Sequence, residues 1–294
     1  MIERIAIVGT GLIGASVGLA LKANGFAGKV VGWDANAAEL EIALRRGAID
    51  EALAKNDVFD PDIADVFLLA TPVLPILDWM QSLAAGLHES QFVTDVGSTK
   101  RDIAIMASEL FNRPSRARFL PGHPMAGKEV GGAAMADAAL FDGARWLFTP
   151  CPEQFPSHPE ALSLEMDWRT WVVRFGAVAQ EIDPVRHDEV CAWVSHLPQM
   201  LSTALAAMLE DKFAGDAEAM AAVQAIGGRA LRETTRLGAS PYSMWRDVAM
   251  TNTEAITETL EALEQRLAYV RENLRTPELR DEFGLANRFR AKRP

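Results

Sequence analysis

The stretch from Ile5 to Asp34 restricts the fold more than any other part of the chain. Ile5-Ala6-Ile7-Val8 is a β-branched run suited to a strand buried on both faces. Gly9-Thr10-Gly11-Leu12-Ile13-Gly14 follows at once, and Ala15 to Ala23 reads as a helix of small and apolar residues. Lys29 to Trp33 is a second strand, and Asp34 ends it twenty residues after Gly14. A lone G-x-G-x-x-G is a weak signal. Set between a strand and a helix, with an acid at this distance, it predicts a dinucleotide-binding βαβ unit.

Each position in that unit has a physical task. Gly9 permits the tight turn, Gly11 lets backbone approach a pyrophosphate, and Gly14 allows close helix–strand packing. Leu12 and Ile13, within the turn, are expected to border the cofactor, and the N-terminus of the helix that follows offers unpaired N–H groups to the phosphates. Asp34 can accept hydrogen bonds from both ribose hydroxyls and would repel a 2′-phosphate. No lysine or arginine appears until Arg45, so NAD is expected rather than NADP.

The remaining chain predicts a doubly wound α/β domain over residues 1–182 and an all-α domain over 183–294. Ala64 to Ala70 is a buried strand running into Thr71-Pro72, and ligands of such sheets sit outside the carboxyl ends of the strands. Thr71 and Pro72 are therefore expected to line the cofactor. Phe92 to Val96 is a strand entering Gly97-Ser98-Thr99-Lys100, and Gly176 to Ile182 is expected to close the sheet. Pro121 to Gly132 is so rich in glycine and proline around His123 that it reads as irregular.

No strand pattern follows Asp183. Pro198 lies within a helical stretch from Val185 to about Leu209, and its missing N–H predicts a distortion near Ser195 and His196. Tyr242 to about Asn273 reads as one helix of about 48 Å. Within it Ile256, Leu260, Leu263, Leu267, Val270 and Leu274 form an a/d seam, which predicts a homodimer packed through the helical half.

Composition narrows the partners. A formal net charge of -11 argues against nucleic acid or an anionic membrane. No stretch approaches the roughly 20 apolar residues of a membrane helix. Cys151 and Cys191 have neither metal-site nor disulfide-framework spacing, so no metal is expected and a reduced, cytoplasmic setting fits. Among five histidines, His123 is the catalytic candidate. It lies at the carboxyl side of the sheet, where an imidazole can take a hydroxyl proton as hydride leaves the same carbon. Ser98 is placed to orient His123 or the hydroxyl.

Several motifs occur in order: the glycine turn, Asp95-x-Gly97-Ser98-x-Lys100, Gly122-His123-Pro124-Met125-Ala126-Gly127-x-Glu129, and His187-Asp188. Ser195-His196-Leu197-Pro198, Thr235-Arg236 and Met244-Trp245-Arg246-Asp247 complete the series. Over residues 5 to 252 the chain resembles the prephenate/arogenate dehydrogenase family of tyrosine biosynthesis. The resemblance implies NAD-dependent oxidative decarboxylation of prephenate or arogenate, a Rossmann domain with a helical dimerisation domain, and a site between them. It implies His123 as base with Ser98 in support, Arg236 on the ring carboxylate, and Glu129 as an acidic gate. Glu233 takes the place of an acid reaching in from the other subunit, while Trp245 and His196 line the side-chain pocket.

One position departs from the pattern. Many relatives carry histidine where this chain has Gln199, and a neutral glutamine is expected to admit the amino-acid side chain of arogenate. No regulatory or mutase segment is expected after residue 275. Two other readings fit the glycine turn: a β-hydroxyacid or imine-reducing dehydrogenase, and a non-catalytic NAD-binding sensor. The first usually relies on a helix-borne lysine, and Lys212 borders a polar turn; the second need not keep His123, Ser98 and Arg236 together.

Overall fold

A computed structural model of the chain describes residues 1–128, 130–151 and 155–292. Nine strands and twelve α-helices are placed among them. Strands β1 (Arg4–Val8), β2 (Lys29–Trp33), β3 (Glu51–Ala52), β4 (Val66–Leu69), β5 (Phe92–Asp95) and β6 (Arg118–Leu120) form a parallel sheet in the order β3-β2-β1-β4-β5-β6. This is the doubly wound order, with its crossover point between β1 and β4. The Val66-Phe67-Leu68-Leu69 strand is buried along its whole length because helices cover both faces. Helices α1 (Leu12–Ala23), α2 (Ala37–Arg45), α3 (Val73–Leu83), α4 (Arg101–Leu110) and α5 (Pro159–Arg174) provide that cover.

Two sequence expectations about strands need correction. Residues Gly122–Pro124 are a strand, β7, which pairs antiparallel with β8 (Arg145–Phe148) so that His123 faces Leu147 in register. Composition hid it, because a three-residue strand can draw its order from its partner. Segment β9 (Val178–Glu181) does not close the main sheet; it pairs parallel with β8 in a separate three-stranded sheet. Beneath that small sheet Trp146, Trp168, Phe141, Phe148 and Phe175 form a buried aromatic cluster.

The helical half comprises α6 (Pro184–Cys191), α7 (Leu197–Phe213), α8 (Ala217–Ile226), α9 (Gly228–Thr235), α10 (Tyr242–Thr251), α11 (Thr253–Glu272) and α12 (Glu278–Ala291). Between α6 and α7 the chain widens into a π-turn over Ala192–His196. That is the expected distortion: Pro198 has no N–H for the carbonyl of Val194, and the ladder loosens one turn earlier. The long helix expected from Tyr242 is instead two. Asn252 leaves the helical region, at φ -136° and ψ 33°, and turns its amide inward, so the break comes from a buried hydrogen bond and not from glycine or proline.

The glycine turn shows why its three glycines differ. Gly9 has φ +98°, and a Cβ there would lie 2.6 Å from the carbonyl oxygen of Ala70. A Cβ on Gly14 would lie 2.0 Å from the carbonyl oxygen of Gly9, whereas one on Gly11 meets nothing within 4 Å. Gly14→Ala is therefore expected to cost about 1–3 kcal/mol of folding stability through overpacking, with Gly11→Ala close to neutral. Urea denaturation of the two variants checks this, and equal losses would contradict it.

Candidate active site

The carboxyl edge of the parallel sheet carries the glycine turn, Asp34 and the loops after β4 and β5. Gly11 borders open space at the N-terminus of α1, which has no capping side chain of its own. Asp34 is half-buried; one carboxylate oxygen accepts from the Thr10 N–H at 2.7 Å and the other from the Asn36 N–H at 2.8 Å. The Thr10 hydroxyl reaches the first oxygen as well, at 3.4 Å, so the second oxygen keeps a further lone pair. Thr71 is half-buried and Pro72 exposed, and the Thr71 methyl group borders the Gly9 turn. Leu12 is half-buried, and Ile13 packs onto the core beneath the sheet. Open room beside Gly11, a helix N-terminus without a side-chain cap and a carboxylate at the end of β2 together fit a dinucleotide.

Next to this edge is a buried ion pair. The ammonium of Lys100 contacts the carboxylate of Asp95, and both side chains are fully buried. Lys100 also donates to the carbonyl oxygen of Gly122 at 2.7 Å, while Asp95 accepts from the N–H groups of Gly97 and Gly122. Burial pushes the Asp95 carboxyl up and the Lys100 ammonium down, and each charge opposes the shift of the other. The pair fastens β7, and with it His123, to the end of β5.

The ring of His123 is half-buried, and its Nδ1 lies 2.9 Å from Nε2 of His187 on α6. His187 is fully buried, with its Nδ1 2.7 Å from Oδ1 of Asp188. Asp188 also accepts from the backbone N–H groups of Lys100 at 2.8 Å and Arg101 at 2.9 Å, which caps α4 from the helical half. Ionised Asp188 only accepts, so His187 carries its proton on Nδ1 and presents a lone pair at Nε2. His123 must then donate from Nδ1. Its Nε2 is left as an acceptor. Burial holds the His123 imidazolium well below its usual pKa, and the neighbouring His187, Lys100 and His196 add to the shift, so the ring stays neutral.

Ser98 is half-buried on the loop beside this chain, and no hydrogen bond joins it to His123. The ring-orienting partner is His187. Asn252 donates to the carbonyl oxygen of Asp188 at 2.9 Å and lies 3.2 Å from Nδ1 of buried His196. Burial lowers the pKa of His196 to about 4, and the Asn252 contact leaves its proton on Nε2. His196 meets Trp245 edge-to-face at 5.8 Å. The Trp245 indole N–H is shut from solvent and has no partner among the described residues. Four residues beyond His187, buried Cys191 places its sulfur 3.6 Å from His187 Nε2, and burial raises its thiol to about 12.

Gln199 lies near the start of α7. It is buried, donates to the Leu237 carbonyl oxygen at 2.7 Å and to Thr203 at 3.1 Å, and accepts from Ser240 at 3.2 Å. Both of its N–H donors are used, and the bond to Leu237 fastens the turn Arg236–Ala239 against α7. Arg236 begins that turn and is exposed. Glu233 is exposed on α9 and paired with Arg229. Glu129 lies outside the described residues.

Five residues of the site carried no role in the sequence reading: Asp95, Lys100, His187, Asp188 and Asn252. The first two and the His187-Asp188 pair stood inside recognised motifs without a role. An acid and a lysine flanking a Gly-Ser-Thr turn and an acid adjoining a histidine were the available signals; nothing local marked Asn252.

A parallel sheet with a glycine cradle at its carboxyl edge, and a neutral imidazole held there through His187 by a carboxylate from an appended helical domain, define a dinucleotide-dependent dehydrogenase. The family model of the prephenate dehydrogenase nucleotide-binding domain matches residues 17–163, and that of the prephenate dehydrogenase dimerization domain matches 183–288. The chain belongs to the prephenate dehydrogenase family. Prephenate dehydrogenase of Bacillus subtilis is 31% identical over 88% of this chain and 66% of its own length, and that of Lactococcus lactis is 29% identical over 90% and 69%. The chain thus spans about two thirds of these relatives. Among solved structures, prephenate dehydrogenase from A. aeolicus in complex with hydroxyphenyl propionate and NAD+ superposes with a TM-score of 0.86 at 28% identity, covering 99% of this chain and 98% of that one. Synechocystis arogenate dehydrogenase gives 0.75 at 30% identity, covering 98% and 99%.

Replacing Lys100 with Met would leave the Asp95 carboxylate buried without its partner. The expected loss is about 3–5 kcal/mol of stability, read by chemical denaturation; a change below about 1 kcal/mol would contradict the pairing.

Proposed function

We propose that this chain catalyses NAD-dependent oxidative decarboxylation of prephenate or arogenate, with residues 1–182 binding the cofactor and 183–294 completing the substrate site. The observation that carries this reading is the Asp188–His187–His123 chain, which leaves His123 Nε2 bare beside the dinucleotide edge. His123 accepts the proton of the substrate's C4 hydroxyl at Nε2. NAD, when bound, supplies the hydride acceptor for the carbon that bears that hydroxyl. Gly9, Gly11 and Gly14 receive the pyrophosphate with Leu12 and Ile13, Asp34 holds the ribose, and Thr71 and Pro72 border the cofactor. Arg236 fits the substrate carboxylate with a planar fork of donors. His196 offers Nε2–H and Trp245 its indole N–H to the other end of the substrate.

The helical half presents a homodimer surface in this reading. Ile226, Met208, Leu274, Phe283 and Phe289 are exposed on its helices, an apolar area that a second copy would cover. In that dimer Glu233 would approach the partner's site. Both cysteines are free thiols, and among the described residues no helix is long and apolar enough to cross a membrane. A cytoplasmic setting accords with both.

Two measurements test the role of His123. His123→Asn is expected to lower turnover by about 100-fold or more while NAD affinity is kept; NADH formation from prephenate and from arogenate reads the first and equilibrium binding the second. An active variant would overturn the assignment. The pH profile gives an independent check. The working form is neutral imidazole and its pKa is depressed, so kcat/KM should stay level through neutral pH and fall only in acid, below the ordinary 6.5. An acid limb at or above 6.5 would contradict it.

A further inference from the structure

We propose that His123, His187 and Cys191 form a zinc site whose occupation switches the enzyme off. Their donor atoms all lie within 4.8 Å of one another. His187 and Cys191 are four residues apart on α6, so their side chains emerge on one helix face. Tetrahedral zinc with N and S bonds of about 2.0–2.1 Å and 2.3 Å separates neighbouring donors by roughly 3.3 Å for two nitrogens and 3.6 Å for nitrogen and sulfur. The structure has 2.9 Å between His123 Nδ1 and His187 Nε2, and 3.6 Å between His187 Nε2 and Cys191 Sγ.

The surroundings of His187 suit a metal as well as a proton. Its Nδ1–H is bound to Asp188, the carboxylate–histidine arrangement that orients a ligating imidazole and raises its basicity. The lone pair at Nε2 already points at the other two donors. Two imidazoles and a thiolate favour a borderline-soft ion such as zinc, leaving a fourth position for water. Of the three residues His123 alone is half-buried and the other two are buried, so an ion would enter from its side.

Occupation has a defined chemical consequence. Zinc takes the Nδ1 lone pair of His123, so that ring's single proton moves to Nε2. Cys191 loses its thiol proton to solvent. With hydrogen on Nε2, His123 has no lone pair for the substrate hydroxyl. This inhibitory step rests on the proposed role of His123; the binding step does not.

The test uses the full chain, with zinc and with cobalt as its spectroscopic stand-in. One cobalt ion per chain should give the thiolate-to-cobalt charge-transfer band and the intense visible bands of a tetrahedral site. Zinc should abolish NADH formation, with recovery on adding a chelator. Cys191→Ala is expected to keep its basal activity, lack the thiolate band and need zinc concentrations higher by more than about 10-fold for inhibition, the smallest loss a merely supporting residue produces. Cys191→Ser, closer in volume, serves the same comparison if the alanine variant folds poorly. A wild-type chain without the thiolate band, or Cys191 variants inhibited at the wild-type zinc concentration, would overturn the site. A thiolate band with undiminished activity would retain the site and overturn the role of His123.

Discussion

The carboxylate of Asp188 is the joint on which the rest of the molecule turns. It is buried, and it accepts three hydrogen bonds: two from the first N–H groups of α4 and one from His187. The first two satisfy donors that α4 leaves open, since Lys100 at its N-cap supplies no capping side chain. The third sets a tautomer. One side chain thus locks the helical half onto the sheet half and passes a proton-ordering constraint to His123. Hydrogen bonds to a charged acceptor are worth about 1.5–3 kcal/mol each, enough to hold this geometry against thermal motion.

The other contacts between the halves repeat the same economy of position. Asp247 on α10 accepts from the N–H of Leu74 at the start of α3, and Thr251 meets Thr99 at 2.7 Å. Asn252 ties the Asp188 backbone to His196. These ties converge on the loops at the carboxyl ends of β4 and β5, where a doubly wound sheet exposes its ligand crevice. The buried Asp95–Lys100 pair lies behind them and holds the backbone of Gly122, so β7 is anchored from one side and its histidine oriented from the other. A charge pair in a dry interior contributes little net stability; its contribution here is position.

Much of this was legible in the chain. The βαβ unit, the buried strands β1, β2, β4 and β5 and the all-helical second half follow from periodicity and from turn residues, which are local. The distortion near His196 was legible for the same reason, because a proline lacks an N–H wherever it falls. Strand β7 was not legible, since three residues with glycine and proline take their conformation from β8. The break at Asn252 and the commitment of Gln199 to the Arg236 turn depend on partners far along the chain, Asp188 in one case and Leu237 in the other. The link from Asp188 to His123 spans two domains. Periodicity carries no information about such a contact, although the adjacency of His187 and Asp188 marked the place.

The account depends on which ring nitrogen of His123 carries the proton. Nitrogen-15 NMR of the histidine side chains in the full chain at neutral pH reads this directly, with His187→Gln and His123→Asn chains for assignment. A pyrrole-type Nδ1 and a pyridine-type Nε2 on His123, together with a protonated Nδ1 on His187, are the expected result. A His123 ring protonated at Nε2, or doubly protonated at neutral pH, would contradict it.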